Sequence, residues 1–261
     1  YGCLHHYSKL NCDGGGSVVS FASSNASSEN FIIWPVDDPT DEFLHKSSMW
    51  SCKQRRILNC RNFCFRSRGD LTRNPNKAVE QTLKKALEPH QEESGDETKL
   101  IPFLDSAAML KDVNVDSLTN DKERLAFFIN LYHVMIMHAF MVLGPPDSSF
   151  KWISYFNTIA YQCSDDIFSL TELEHNIIRA AMSYPSQFIS KFVLPKSQFR
   201  FALRQTVDYR INFALNAGSL SNPAAVPIYQ PDVLDRQLDR TARAYLEASV
   251  QVTVKRNTTT V

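Results

Sequence analysis

The side chains best suited to chemistry are one carboxylate and two imidazoles: Glu174 and His175, adjacent in sequence, and His138 in an apolar run upstream. A buried carboxylate beside an imidazole shifts both acidities and can transfer protons or bind a metal. Adjacent helix residues point about 100° apart, so Glu174 and His175 do not face each other. One of them can turn inward, toward His138 or toward the loop that begins at Asn216. A metal would need His138, His175 and Glu174 to converge. No metal site is assigned and no cofactor is named. The competing reading is a polar network that holds helix to helix, with Arg179 as the partner of the pair.

That loop runs Asn216-Ala217-Gly218-Ser219-Leu220-Ser221-Asn222-Pro223. Its nucleophiles are Ser219 and Ser221. Gly-Ser-Leu-Ser is not a nucleophile elbow, and serine attacks weakly without a positioned base. Turn hydrogen bonding is the competing role. Asn130, Arg210, Asn216, Ser219 and Ser221 form the candidate ligand-binding set. Thiol chemistry has less support. Cys163 stands alone in an expected strand as a buried thiol, and no Cys-x-x-Cys occurs. Cys52, Cys60 and Cys64, with His45 upstream, fit no common zinc spacing.

The element that must position these groups is a helix over Asp121–Leu143. Asn120 and Glu123 form its expected capping box, and Gly144-Pro145-Pro146 stops it. From Phe127 onward only Asn130, His133 and His138 interrupt its apolar character. A helix apolar all round is a membrane span or the centre of a globular core. Three polar side chains favour the core. Asn130 and His138 lie about 12 Å apart along the axis and some 80° round it, so each needs its own partner. His133 is one turn from Asn130 and is expected to pair with it.

Other elements surround this helix. Asn76 is expected to cap a helix bearing Val79, Leu83 and Leu87, and Pro102 suits the first turn of a second, with Phe103, Leu104, Ala107 and Leu110 inward. After Pro146 a β-like stretch leads to a hairpin, Thr158–Cys163 and Ile167–Leu170, turning at Ser164-Asp165-Asp166. Ser169 with Glu172 opens a further helix carrying Leu173, Ile177 and Ile178. Alternation predicts a strand over Tyr209–Leu215. Pro231 and Asp232 begin the last helix, with a stripe of Leu234, Leu238, Ala242 and Tyr245, and Val250–Val254 reads as a final strand. The expected fold is α+β: a central buried helix, flanking helices and a small antiparallel sheet.

Residues 1–75 differ from the rest. Ser17–Asn30 holds six serines in fourteen residues, a composition that buries too little to offset ordering entropy. Phe31-Ile32-Ile33-Trp34 is an apolar island, either a docking segment or a stray edge strand. Residues 53–73 carry Lys53, Arg55, Arg56, Arg61, Arg66, Arg68 and Arg73 against Asp70 alone. This run is a solvated linker or a patch for acidic partners. The expected organisation is a low-complexity, basic and mostly disordered region over 1–75, then one folded domain over 76–261.

Composition narrows the partners. Formal net charge is +0, so no global field points to nucleic acid or a membrane. Six cysteines in 261 residues, unevenly spread, read as reduced thiols rather than a disulfide scaffold. The first twenty residues show no signal-peptide pattern and position 1 is not Met, so a fragment of a longer intracellular chain is expected.

Several stretches together resemble one family. They are Glu123-Arg124-Leu125-Ala126-Phe127-Phe128-Ile129-Asn130-Leu131-Tyr132 with His138; Phe168-Ser169-Leu170 leading to Glu174-His175-Asn176-Ile177-Ile178-Arg179; Arg210-Ile211-Asn212-Phe213-Ala214-Leu215-Asn216-Ala217-Gly218-Ser219; and Ser221 to Tyr229 with the helix behind it. In order and spacing they resemble the domain of unknown function five-four-seven, found in bacteria, plants and other eukaryotes, over roughly residues 100–261. The resemblance is to a eukaryotic-type member, in which the domain often follows other modules. Bacterial relatives often carry His at the position of Asn212 and Cys at those of Ala217 and Asn222, so the resemblance implies a lost thiol site here. It also implies a strand-and-aromatic segment beyond the final strand, so the domain is expected to be truncated at its C-terminal end.

The functional expectation is a non-catalytic interaction or scaffold domain, cytoplasmic with the nucleus as alternative, whose partners are proteins. The alternative is a hydrolase or transferase using Glu174, His175 and His138 with the Asn216–Ser221 loop as ligand cradle. One solvent-open pocket shared by these groups favours the enzyme; burial in mutual hydrogen bonds favours the scaffold.

Overall fold

A computed structural model describes residues 20–21, 31–32, 44–46, 54–59, 74–88, 100–164, 166–182, 198–203, 207–219, 222–251, 253–255 and 258–260. Its architecture is α+β around one buried helix. In chain order the strands are β1 (Ser20–Phe21), β2 (Phe31–Ile32), β3 (Leu44–Lys46), β4 (Gln54–Ile57), β5 (Ile159–Cys163), β6 (Asp166–Ser169), β7 (Thr253–Lys255) and β8 (Thr258–Thr260). The helices are α1 (Pro75–Leu87), α2 (Ile101–Met109), α3 (Asp121–Leu143), α4 (Ser149–Thr158), α5 (Leu170–Glu172, continued by a π-helical turn over Leu173–Ile178), α6 (Ile211–Ala214) and α7 (Leu234–Ser249).

The central helix α3 matches its sequence expectation in bounds and burial. Every residue from Leu125 to Met141 is buried. Asn120 Oδ1 accepts the Glu123 N–H at 2.9 Å, and the Glu123 carboxylate reaches back to the Thr119 N–H at 2.8 Å. At the other end Gly144 (φ 70°) turns the chain out while its N–H still donates to the Phe140 carbonyl. Length and composition alone would let α3 cross a membrane, but 89% of that apolar window is buried inside the protein. Its Phe and Met side chains are covered by neighbouring elements rather than left as an outward apolar surface.

α1 lies along α3 and buries Val79, Leu83 and Ala86. Its cap is Asn74 rather than Asn76: Asn74 Oδ1 accepts the N–H groups of Asn76 and Lys77 at 3.0 and 3.3 Å. Pro75 accounts for the shift, because its fixed φ and missing N–H suit the first helical position. Thr82 Oγ1 meets Ser106 Oγ at 2.9 Å, joining α1 to α2.

The main sheet has the order β3-β4-β5-β6 and is mixed rather than purely antiparallel. β5 and β6 form the expected hairpin, pairing Ala160 with Ser169 and Cys163 with Asp166. β4 pairs in parallel with β5, Arg56 opposite Ile159 and Ile57 opposite Ala160. Residues 54–59 therefore belong to the packed body, which draws on chain upstream of the expected boundary at 76. The apolar island contributes Phe31 and Ile32 to β2, paired with β1. Ile33, Trp34, most of the basic run, and Cys52, Cys60 and Cys64 lie outside the described residues.

Two segments take a different form from the expected one. Residues 149–158 are helix α4, not β-like. Their aromatic content resembles a strand, but Trp152, Tyr155 and Phe156 are spaced for one helical face and pack near Phe140 and Tyr132. The expected strand 209–215 is largely the short helix α6, which buries Ile211 and Ala214 and leaves Asn212 exposed. Asp208 Oδ1 accepts the Arg210 N–H at 3.0 Å and fixes the turn that starts it. α7 turns Leu234 and Leu238 inward and sets Tyr245 against Phe213, while Leu246 and Val250 are exposed. The strand expected over Val250–Val254 is β7, which begins at Thr253 because α7 runs on to Ser249, and β8 pairs with it.

Candidate functional site

The loop after α6 is closed by its own side chains. Asn216 Oδ1 accepts the Gly218 N–H at 2.9 Å, an Asx turn, and Asn216 Nδ2 donates to the Pro223 carbonyl at 2.7 Å. Asn222 Oδ1 is the centre of the loop. It accepts the Ala217 N–H and the Ser219 N–H, each at 3.2 Å, and the Ser219 hydroxyl at 2.8 Å. Convergent N–H donors of this kind can hold an anion or a developing oxyanion. Here the amide oxygen of the chain's own Asn222 occupies that position. Gly218 has φ +75°, and a Cβ there would sit 2.4 Å from a ring carbon of Phe140, so the loop is pressed onto α3. Ser221 lies outside the described residues.

His133 anchors this loop from α3. Its Nε2 lies 3.2 Å from the Asn216 N–H donor and 3.1 Å from the Ala214 carbonyl. One tautomer accepts from the first and the other donates to the second. Burial pushes its pKa down to about 4, outweighing the Ala214 hydrogen bond, so the ring is neutral at physiological pH. The expected pairing of His133 with Asn130 does not form. Asn130 instead brackets the backbone of Tyr229, donating to its carbonyl at 2.8 Å and accepting its N–H at 2.9 Å.

His138 faces a different neighbour. Its Nδ1 is 2.6 Å from the Tyr161 hydroxyl on β5, and its ring stands edge-on to Phe103 on α2. His138 is 4% exposed and Tyr161 0%. Burial raises the Tyr161 pKa well above its ordinary value, so that hydroxyl stays protonated. The pair is a buried polar clasp between helix and sheet.

Glu174 and His175 sit on the π-helical turn. The Glu174 carboxylate accepts from Arg179 Nη1 at 2.9 Å and from the buried Tyr132 hydroxyl at 3.2 Å. His175 Nε2 is 3.9 Å from Glu174, beyond hydrogen-bond reach. Burial lowers the His175 pKa, and the Glu174 charge opposes that shift. On α3 the contact of this cluster is Tyr132. His138 lies six residues further on, about 9 Å along the axis, and turns to β5. The expected triad of Glu174, His175 and His138 is therefore two separate clusters.

Arg210 has also been taken up by the fold. Its guanidinium meets Asp208 at 2.7 Å, Asp235 at 3.1 Å and Asp239 at 2.7 Å, tying α6 to α7. These hydrogen bonds, Asp208 first, raise its pKa. Among the described residues no group of three His, Cys, Asp or Glu side chains could hold a metal ion.

Other buried polar residues hold the fold together through partners distant in sequence. Arg55 Nη2 meets Glu172 Oε1 at 2.6 Å, with the two side chains 7% and 0% exposed. The other Glu172 oxygen accepts the Ser169 N–H at 2.9 Å, completing the expected capping box. Asn59 brackets Gln162 as Asn130 brackets Tyr229, at 2.8 and 2.9 Å. Asn222 carried a local signal, its position before Pro223. Arg55 and Asn59 carried none, being separated from their partners by more than a hundred residues.

The elements that hold the loop, the π-helical turn and α7 coincide with a known family model, "Protein of unknown function, DUF547", which matches residues 115–246. The chain belongs to this family. The match covers more than half the sequence and includes α3, the β5–β6 hairpin, the Asn216 loop and nearly all of α7. β4 and α1 lie outside the DUF547 match yet pack against it, and α2 reaches it through Phe103 on His138. Neither a curated protein nor a solved structure matches the chain.

Proposed function

We propose that this DUF547 chain is a non-catalytic interaction domain, acting in the cytoplasm or nucleus on protein partners. The observation that carries the reading is the occupied nest: three donors of the loop converge on Asn222 Oδ1, where a reacting oxygen would have to sit. Ser219 donates its hydroxyl to that same oxygen, so the candidate nucleophile is itself tied into the nest. His138 and Asn130 are likewise engaged inside the fold. The basic run serves acidic partners less directly than its composition implies, because Arg55 is buried against Glu172.

One observation favours the alternative, a hydrolase or transferase. Glu174 and His175 are partly exposed on a π-helical turn, and such turns recur at functional sites. The test is a turnover screen with ester, thioester, amide and phosphoester substrates on the purified protein. Absence of turnover above the Glu174→Gln, His175→Ala double variant supports the interaction reading. Turnover abolished by either substitution, with the fold intact by circular dichroism, sinks it.

A further inference from the structure

β4 pairs with β3 on one side, and on the other it meets β5 in the manner of a docked peptide. Parallel pairing sets Arg56 against Ile159 and Ile57 against Ala160, and the Leu58 N–H donates to the Ala160 carbonyl at 3.0 Å. Asn59 ends the contact by bracketing Gln162 with both halves of its amide, and Nδ2 also reaches the Ala107 carbonyl at 3.4 Å. Ile57 is buried and Leu58 packs against the core. At the start of the segment, Arg55 inserts between the Ile167 carbonyl, 2.9 Å from Nη1, and the buried Glu172 carboxylate. Five consecutive residues thus supply backbone pairing, an apolar anchor, a charged anchor and a terminal amide bracket.

The receptor side comes mostly from the family-matched region, which supplies the β5 edge, Gln162, Ile167 and Glu172. The occupant comes from outside that region. Main-chain pairing with alternate side-chain sockets is the physics of recognition by strand addition. A fully buried carboxylate selects a cation with forked donors, and arginine fits that geometry better than lysine.

We propose that the β5 edge with Glu172 is a strand-addition site for an extended peptide of the pattern Arg-x-Ile-x-Asn, and that Arg55–Asn59 is its resident intramolecular occupant. The site would accept the same pattern supplied in trans whenever the resident strand is released. Its value to a cell rests on the interaction reading above, but the binding itself does not. A turnover screen and a peptide-binding measurement can fail separately.

The test keeps the whole chain. A protease site is inserted between Arg66 and Ser67, the protein is cleaved, and fluorescein-labelled peptide Lys53–Asn59 is added while anisotropy is followed. The expected result is exchange of the peptide into the cleaved protein. Peptides carrying Arg55→Gln or Asn59→Ala should bind at least tenfold more weakly. The uncleaved protein should bind the parent peptide about a hundredfold more weakly, because its tethered strand competes at millimolar effective concentration. The proposal is overturned if no peptide binds, if all three bind alike, or if the resident strand leaves only with loss of the near-ultraviolet circular dichroism of the core.

Discussion

Asn130 on the central helix holds Tyr229 by both backbone atoms, at 2.8 Å to the carbonyl and 2.9 Å from the N–H. The two residues are 99 positions apart, and both are buried. The Asn130 amide acts as a one-residue strand partner for a segment with no sheet to join, and so delivers the chain to the start of α7. Asn130→Ala should leave the Tyr229 N–H and carbonyl unpaired in the core, a loss of about 2–4 kcal/mol. Urea unfolding measures it; a loss below half a kcal/mol would mean that water replaces the amide.

Gly218→Ala should destabilise by about 2–4 kcal/mol, combining the left-handed backbone with overpacking against Phe140. Trimming the ring in Gly218→Ala, Phe140→Leu should restore part of the loss. A double-mutant cycle with no coupling between the two sites would contradict the close approach.

His133 sets a pH dependence. Its folded pKa of about 4 lies below the ordinary 6.5, so between these values the unfolded chain binds the extra proton. Stability is therefore full above pH 6.5 and declines as pH falls toward 4, by roughly 3 kcal/mol from this group. His175, also lowered by burial, acts in the same direction. The measurement is the urea midpoint between pH 7 and 4.5, with His133→Gln as comparison. That variant should be less stable at pH 7 but show a flatter profile; an unchanged slope would place the titration elsewhere.

Arg55→Met should cost about 3–5 kcal/mol, because the buried Glu172 carboxylate would lose the guanidinium that meets it at 2.6 Å. Arg55→Met with Glu172→Gln should be more stable than Arg55→Met alone. The neutral amide needs no countercharge, and its oxygen can still accept the Ser169 N–H of the capping box. Thermal melts of both variants decide this, and a double variant weaker than Arg55→Met would show that the charge is not the dominant cost.

Local rules made several parts of this fold legible. The stop at Gly144, the hairpin around Ser164, the Ser169–Glu172 box and the stripe of α7 each depend on residues within a few positions of one another. α4 was open to the same reasoning through the spacing of Trp152, Tyr155 and Phe156, but its β-prone composition masked it. Alternation over a few residues does not separate a strand from one helical turn, so Tyr209–Leu215 reads as a strand yet folds largely as α6. In the candidate site, Glu174 with Arg179 was visible from sequence, a spacing of five residues that the π-helical turn brings onto one face. Its Tyr132 partner was not.

The sequence by itself determined that an apolar helix starting after Asn120 would form the interior, and that its few polar groups would need partners. Which partners they found was decided only by tertiary structure: Tyr229 for Asn130, the Asn216 loop for His133, Tyr161 for His138. The physical reason is range. Capping and periodicity act over a turn or two and leave a pattern in neighbouring letters. A buried hydrogen bond or ion pair instead forms wherever packing brings two polar atoms together, and a chain of 261 residues offers many partners at any separation.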